Sequence, residues 1–186
     1  MMGLFTKHDE TSAPEGAAQV LEMVKDKYGF IPNLAAYVAE SPGALGAILK
    51  LSEAFDQSSL TPQEQQVVLL TVSTLNGCSY CKTVHTALGK QVQLDDATIQ
   101  AVIRFEPLKD TRLNALRDFT HQLLEEKGWL DKGKVQSFMD AGFTRAQVFE
   151  VVMGVALKTM TNYSNHLAGA EPNAEFISMA EGKAAA

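Results

Sequence analysis

The chain has only two cysteines in 186 residues. A secreted disulfide framework is excluded, since such scaffolds need several bridges. Positive charge is also short: 16 Lys and Arg stand against 22 Asp and Glu, for a formal net charge of −6. That balance argues against a nucleic-acid partner, whose phosphates demand a basic surface, and against an anionic membrane surface. No apolar run approaches the ~18 residues of a membrane span. One such run, Val67 to Val72, is interrupted at Thr71. Met1 to Gly16 has no apolar core of signal-peptide length and carries Asp9, Glu10 and Glu15. A cytoplasmic protein is therefore expected. There is no Gly-rich phosphate loop and no dinucleotide fingerprint, so no bound cofactor is expected. Strand alternation is missing too, and the Asn76-Gly77 pair lies between helical patterns rather than strands.

What is present reads as helix throughout. Hydrophobic residues make up 46% of the chain and charged residues 20%, which suits one globular domain. Val20, Leu21, Val24 and Tyr28 recur at helical spacing before Gly29, and Leu45, Ile48, Leu49 and Phe55 repeat the pattern. Thr61, Pro62 and Glu64 form a capping box that opens a helix running to about Leu75. A new helix starts at Cys78. Asp95 and Asp96 cap another before Pro107, and Thr111 to Lys127 continues the series to Gly128. Thr144 with Gln147 is a second capping box, opening a long helix to about Leu167. The spacing predicts an all-α, single-domain bundle of about eight helices over residues 15–170. Residues 1–14 read as a flexible tail, and 171–186 as an extension with a frayed end.

The chemistry concentrates at Cys78-Ser79-Tyr80-Cys81, with His85 four residues further on. On one helix these positions share a face, and Cys81 and His85 lie one turn apart. Only a thiolate is a strong nucleophile, and an ordinary thiol near pKa 8.5 is mostly protonated. A helix N-terminus stabilises the thiolate, and His85 can take its proton or hold it as an ion pair. The second thiol can then resolve a sulfenic acid or a mixed disulfide. Two other readings stay open. The cysteines can be small buried core residues. They can also belong to a structural zinc site, which needs a fourth ligand from His121 or His166.

The stretch Leu60-Thr-Pro-Gln-Glu-Gln-Gln-Val-Val, then Asn76-Gly-Cys-Ser-Tyr-Cys and His85, resembles the alkylhydroperoxidase D branch of the carboxymuconolactone decarboxylase family. Phe30-Ile-Pro-Asn and Asn162-Tyr-Ser-Asn-His166 resemble its peroxidase-related members, so the similarity spans residues 15–170. The resemblance implies a helical homo-oligomer, a trimer or hexamer, that reduces hydroperoxides through a reversible dithiol. Its electron donor would be a lipoylated or thioredoxin-like protein. Cys81 would be the peroxidatic cysteine, activated by His85, and Cys78 the resolving one. The family motif places a relay glutamate twelve residues before the first cysteine; here that position is Gln66. An amide cannot shuttle a proton near neutral pH. Glu64 is about 200° away around the helix and is committed to its cap. Tyr80 stands where some members carry a second relay histidine.

Weaker candidates follow. Glu150 sits in an apolar run and reads as a carboxylate paired at a subunit contact, or as an acid facing the dithiol. Asn162, Tyr163, Asn165 and His166 read as fixing helix ends, with lining the pocket as the alternative. His8 and His121 read as ordinary polar side chains, and Met153 and Met160 as core. Two further functions compete with peroxide reduction: a non-catalytic redox sensor or structural oligomeric protein, and a decarboxylase acting on a carboxylated lactone. The latter branch does not rely on a dithiol.

Overall fold

The computed structural model describes residues 4–182. Among them the chain forms ten helices and no strand. They are α1 (Ala18–Tyr28), α2 (Asn33–Val38), α3 (Pro42–Asp56), α4 (Pro62–Leu75), α5 (Ser79–Gln91), α6 (Asp96–Arg104), α7 (Thr111–Glu125), α8 (Lys132–Asp140), α9 (Arg145–Ala168) and α10 (Ala174–Ala180). The all-α expectation holds, with more helices than the eight or so expected. The added element is α10, seven residues inside the segment read as an extension. The end of that segment, 183–186, and residues 1–3 of the N-terminal tail lie outside the described residues. Residues 6 and 8 bond to the body: the Thr6 N–H donates to Glu40 Oε1 at 2.8 Å and the His8 N–H to the Ala36 carbonyl at 3.0 Å.

Helix α4 is the centre of the bundle, and its sequence says why. Val67 through Val72 are buried on every side, as expected of a helix that is apolar all round. The hydroxyls of the buried residues Thr71 and Ser73 bond back into the helix, to the Val67 and Leu69 carbonyls. Both capping boxes form, at Thr61 with Glu64 and at Thr144 with Gln147. Glu64 is buried by the same packing and is also paired with Arg112 at 2.6 Å. Arg112 lies 3.8 Å over the Phe143 ring, which stacks on Phe138.

Helix α9 crosses α3 and α4 closely because of Gly154. A Cβ there would come within 2.8 Å of the Phe55 ring and of Val68 Cγ1. At the end of α4 the chain reverses through Gly77, whose φ of +68° is strained for other residues. This turn aims α5 back along α4 and sets the two cysteines at its start. Short α10 packs on α5 and drives Phe176 inside, where it meets Phe30 and Tyr28 edge-on.

Candidate active site

Cys78 is the N-cap of α5. Its Sγ accepts from the Cys81 N–H at 3.3 Å, in the role an oxygen side chain usually fills. Both cysteines are free and about 1% exposed. They differ in what they face. Cys81 lines a cavity of about 170 Å³, whereas Cys78 is enclosed behind it.

The cavity gathers residues from seven helices. Its buried end holds Cys81, His85, Gln66 and Lys158; its walls include Leu45, Leu69 and Phe176. At the exposed end, Lys27 and Asp56 form an ion pair of 2.7 Å. The four sequence-predicted site residues Cys78, Cys81, His85 and Gln66 thus converge. Gln66 Oε1 is 2.9 Å from His85 Nδ1. A carbonyl oxygen only accepts, so Nδ1 carries the hydrogen and Nε2 the lone pair.

Burial holds the His85 imidazole well below its usual range, and the positive charge of Lys158 pushes the same way. The ring is therefore neutral. An imidazolium–thiolate pair, one of the two roles expected for His85, does not fit a neutral ring.

The cation beside the sulfurs is Lys158, which sequence reasoning missed. It is 5% exposed on α9, lines the same cavity as Cys81 and interacts with that sulfur electrostatically. Its pKa is lowered, chiefly by desolvation, with Cys81 and then Cys78 opposing that shift. A signal did exist: a lysine follows directly on an apolar helical run, four residues before Asn162 and seven before Asn165. That spacing places all three on one face.

Asn162 and Asn165 do hold helix ends, at the C-cap of α4 and the N-cap of α5, and in doing so they pack beside the sulfurs. Asn165 Nδ2 donates to Cys78 Sγ at 3.7 Å, and Asn162 is fully buried, accepting from Asn76 Nδ2 at 2.9 Å. Tyr163 and His166 are exposed, with ring centroids 6.0 Å apart.

These contacts split the two thiols. The Cys81 thiol is lowered, first by the Cys78 S–H that donates to its sulfur, then by Lys158 and Asn162. The Cys78 thiol is raised, because it gives its hydrogen to Cys81 and is buried. The pair thus shares one proton, which sits on Cys78, and Cys81 carries the charge.

The remaining candidates lie elsewhere. Glu150 accepts from the Ser59 N–H at 3.0 Å and hydroxyl at 2.8 Å, so it fixes the turn before α4 and does not face the dithiol. The Tyr80 hydroxyl accepts from the Leu34 N–H at 3.3 Å. His121 packs on Phe105 at 5.1 Å. Among the described residues no group of three or more His, Cys, Asp or Glu could hold a metal ion. No described helix is long and apolar enough to cross a membrane.

Residues 42–106 match the model of the carboxymuconolactone decarboxylase family. No curated protein matches the chain. Among solved structures, the chain is similar to an alkylhydroperoxidase AhpD core, peroxidase-related protein from Ralstonia eutropha. The TM-score is 0.86 at 21% identity, with 97% of each chain covered. A peroxidase-related protein from Silicibacter is similar at 24% identity and TM-score 0.76, with 88% of each chain covered. The debrominase Bmp8, in a cysteine-to-alanine variant bound to 2,3,4-tribromopyrrole, is similar at 17% identity and TM-score 0.80, with 98% of each chain covered.

Proposed function

We propose that this chain, which matches the carboxymuconolactone decarboxylase family over residues 42–106, is a thiol-dependent oxidoreductase that reduces organic hydroperoxides at Cys81. The observation that supports this most is the Cys81 sulfur, lowered in pKa and placed at the buried end of an apolar cavity. The thiolate attacks the terminal oxygen of the hydroperoxide. An S–O bond forms, the O–O bond breaks, and the alkoxide leaves to become an alcohol. Cys81 is then a sulfenic acid. The Cys78 sulfur attacks it, and the Cys78 proton leaves with the hydroxyl as water. A disulfide remains, and a dithiol donor returns it to two thiols.

Cys78 is already in contact with Cys81, so the resolving step needs little more than a rotation of two side chains. The lipoylated or thioredoxin-like donor and the homo-oligomer belong to the same proposal. The apolar stripe on α9 supports the oligomer: Phe149, Val152, Tyr163 and Leu167 share one face and are 42–75% exposed.

The test is hydroperoxide consumption with a panel of dithiol donors. Cys81→Ser abolishes it. Cys78→Ser permits one equivalent and stops at a sulfenic acid, which a dimedone adduct reports by mass. Multiple turnovers in Cys81→Ser would overturn the reading.

A second reading is reductive dehalogenation of a small aromatic, in which the dithiol is oxidised to the disulfide and halide is released. The apolar, aromatic-walled cavity favours it, as does the similarity to a debrominase. Halide release from bromopyrroles, with no hydroperoxide consumed, would select it.

A further inference from the structure

Resting on the proposed peroxide chemistry, we infer that Lys158, rather than His85, is the cation of the catalytic pair. Its ammonium holds the Cys81 sulfur as a thiolate and gives a proton to the oxygen that leaves. Four observations carry this.

Lys158 is 5% exposed, and lysine is rarely buried so deeply without an anion beside it. None of the ion pairs among the described residues includes it; the lysines that form pairs are Lys25, Lys27, Lys90 and Lys134. The group that acts on it first is Cys81, whose sulfur lines the same cavity. Second, Lys158 and Cys81 line the same cavity, so a hydroperoxide that reaches the sulfur also reaches the ammonium.

Third, His85 has no proton to give. Its Nδ1–H is committed to Gln66 Oε1 at 2.9 Å, and Nε2 holds a lone pair. Burial keeps the ring neutral. Fourth, Gln66 cannot resupply a proton, because an amide does not titrate near neutral pH. The ammonium is then the acid within reach of the cavity. The other charged or titratable groups facing it are Tyr80 and His85 on α5, Tyr28 and Lys27 on α1, and Asp56 on α3; His166 on α9 acts on Cys81 from a distance. Lys27 and Asp56 neutralise each other at the exposed end.

The step balances. The Cys81 thiolate takes the terminal hydroxyl of the hydroperoxide, the O–O bond breaks, and the alkoxide takes a proton from the Lys158 ammonium. The products are the sulfenic acid, an alcohol and a neutral amine, which regains its proton from water. His85 stays neutral and bonded to Gln66 throughout the step.

The experiment compares two electrophiles on wild type, Lys158→Met and Lys158→Arg. Iodoacetamide releases iodide, which needs no proton; an organic hydroperoxide releases an alkoxide, which does. In Lys158→Met the pH midpoint of Cys81 alkylation rises by about one to three units, as for loss of a nearby opposite charge. At a pH where the thiolate is fully formed, the iodoacetamide rate equals that of wild type, while the hydroperoxide rate falls at least ~10-fold.

Lys158→Arg separates the two roles. A guanidinium keeps the charge but does not give up its proton, so the midpoint stays low and the hydroperoxide rate still falls. Either an unmoved midpoint in Lys158→Met or equal losses with both electrophiles overturns the inference. Because alkylation requires no peroxide activity, a shifted midpoint in a protein that consumes no hydroperoxide supports the ion pair and rejects the peroxidase reading alone. Circular dichroism of each variant separates a folded protein from an unfolded one.

Discussion

Gln66 on α4 meets His85 on α5 at 2.9 Å, from Oε1 to Nδ1. This contact joins the two helices at the buried end of the cavity and fixes which ring nitrogen carries hydrogen. It also isolates His85, since the amide cannot pass a proton onward.

The first prediction concerns that contact. Gln66→Glu gives the ring a carboxylate partner, which raises the imidazole pKa and makes His85 a second proton donor. Turnover of hydroperoxide at neutral pH should rise by ~10-fold, below the full range of general acid catalysis because the pocket is shaped for an amide. The new negative charge also opposes the thiolate, so the alkylation midpoint of Cys81 should move upward. No change in either quantity would show that residue 66 does not act on the pair.

The second prediction is a pH dependence of stability. The His85 pKa in the folded protein is depressed below its ordinary value of 6.5, mainly by burial. Below pH 6.5 the unfolded chain therefore binds the proton more readily than the folded one. Stability should be unaffected above that pH and fall as pH drops through the window between the unfolded and folded values. The slope approaches about 1.4 kcal/mol per pH unit. Urea unfolding at pH 7, 6 and 5 measures it. In His85→Gln this part of the slope should vanish; an identical slope would mean that another group carries it.

Packing at Gly154 supplies the third. A methyl group there meets the Phe55 ring and Val68 Cγ1 at 2.8 Å, and both residues are fully buried. Gly154→Ala should cost about 1–3 kcal/mol. For a chain of this size that lowers Tm by roughly 2–12 °C. A Tm equal to wild type would show that α9 can move away from α3 and α4 without loss.

The fourth concerns the outer face of α9. Phe149 is 74% exposed and Leu167 is 75% exposed, and they lie five helical turns apart on the same side. If copies of the chain associate there, Phe149→Ser combined with Leu167→Ser should reduce the light-scattering mass to that of a monomer. A wild-type monomer at micromolar concentration would remove the oligomer from the proposal.

Much of the architecture was legible because it is written in local rules. The two Thr boxes each carry their partner three residues on, and both formed. The Cys78–Cys81–His85 spacing is helical, and Cys78 does begin α5. Position 66 was singled out by the family motif that the sequence resembles, and the packing of α4 on α5 sets its side chain 2.9 Å from His85. Helix α10 escaped because seven residues carry too little periodicity; what orders them is the seat of Phe176 against Phe30 and Tyr28, two rings about 150 residues earlier.

The sequence by itself determined the helical class, the helix starts and the presence of a dithiol at a helix N-terminus. These depend on residues within a few positions of one another. Only the tertiary structure decided the charge at the site. Lys158 lies 77 positions after Cys81, and its meeting with that sulfur depends on how closely α9 crosses α4 at Gly154. The packing of α4 and α10 on α5 buries His85 and so keeps it neutral. Burial and proximity set ionisation, and neither is a property of a local stretch of chain.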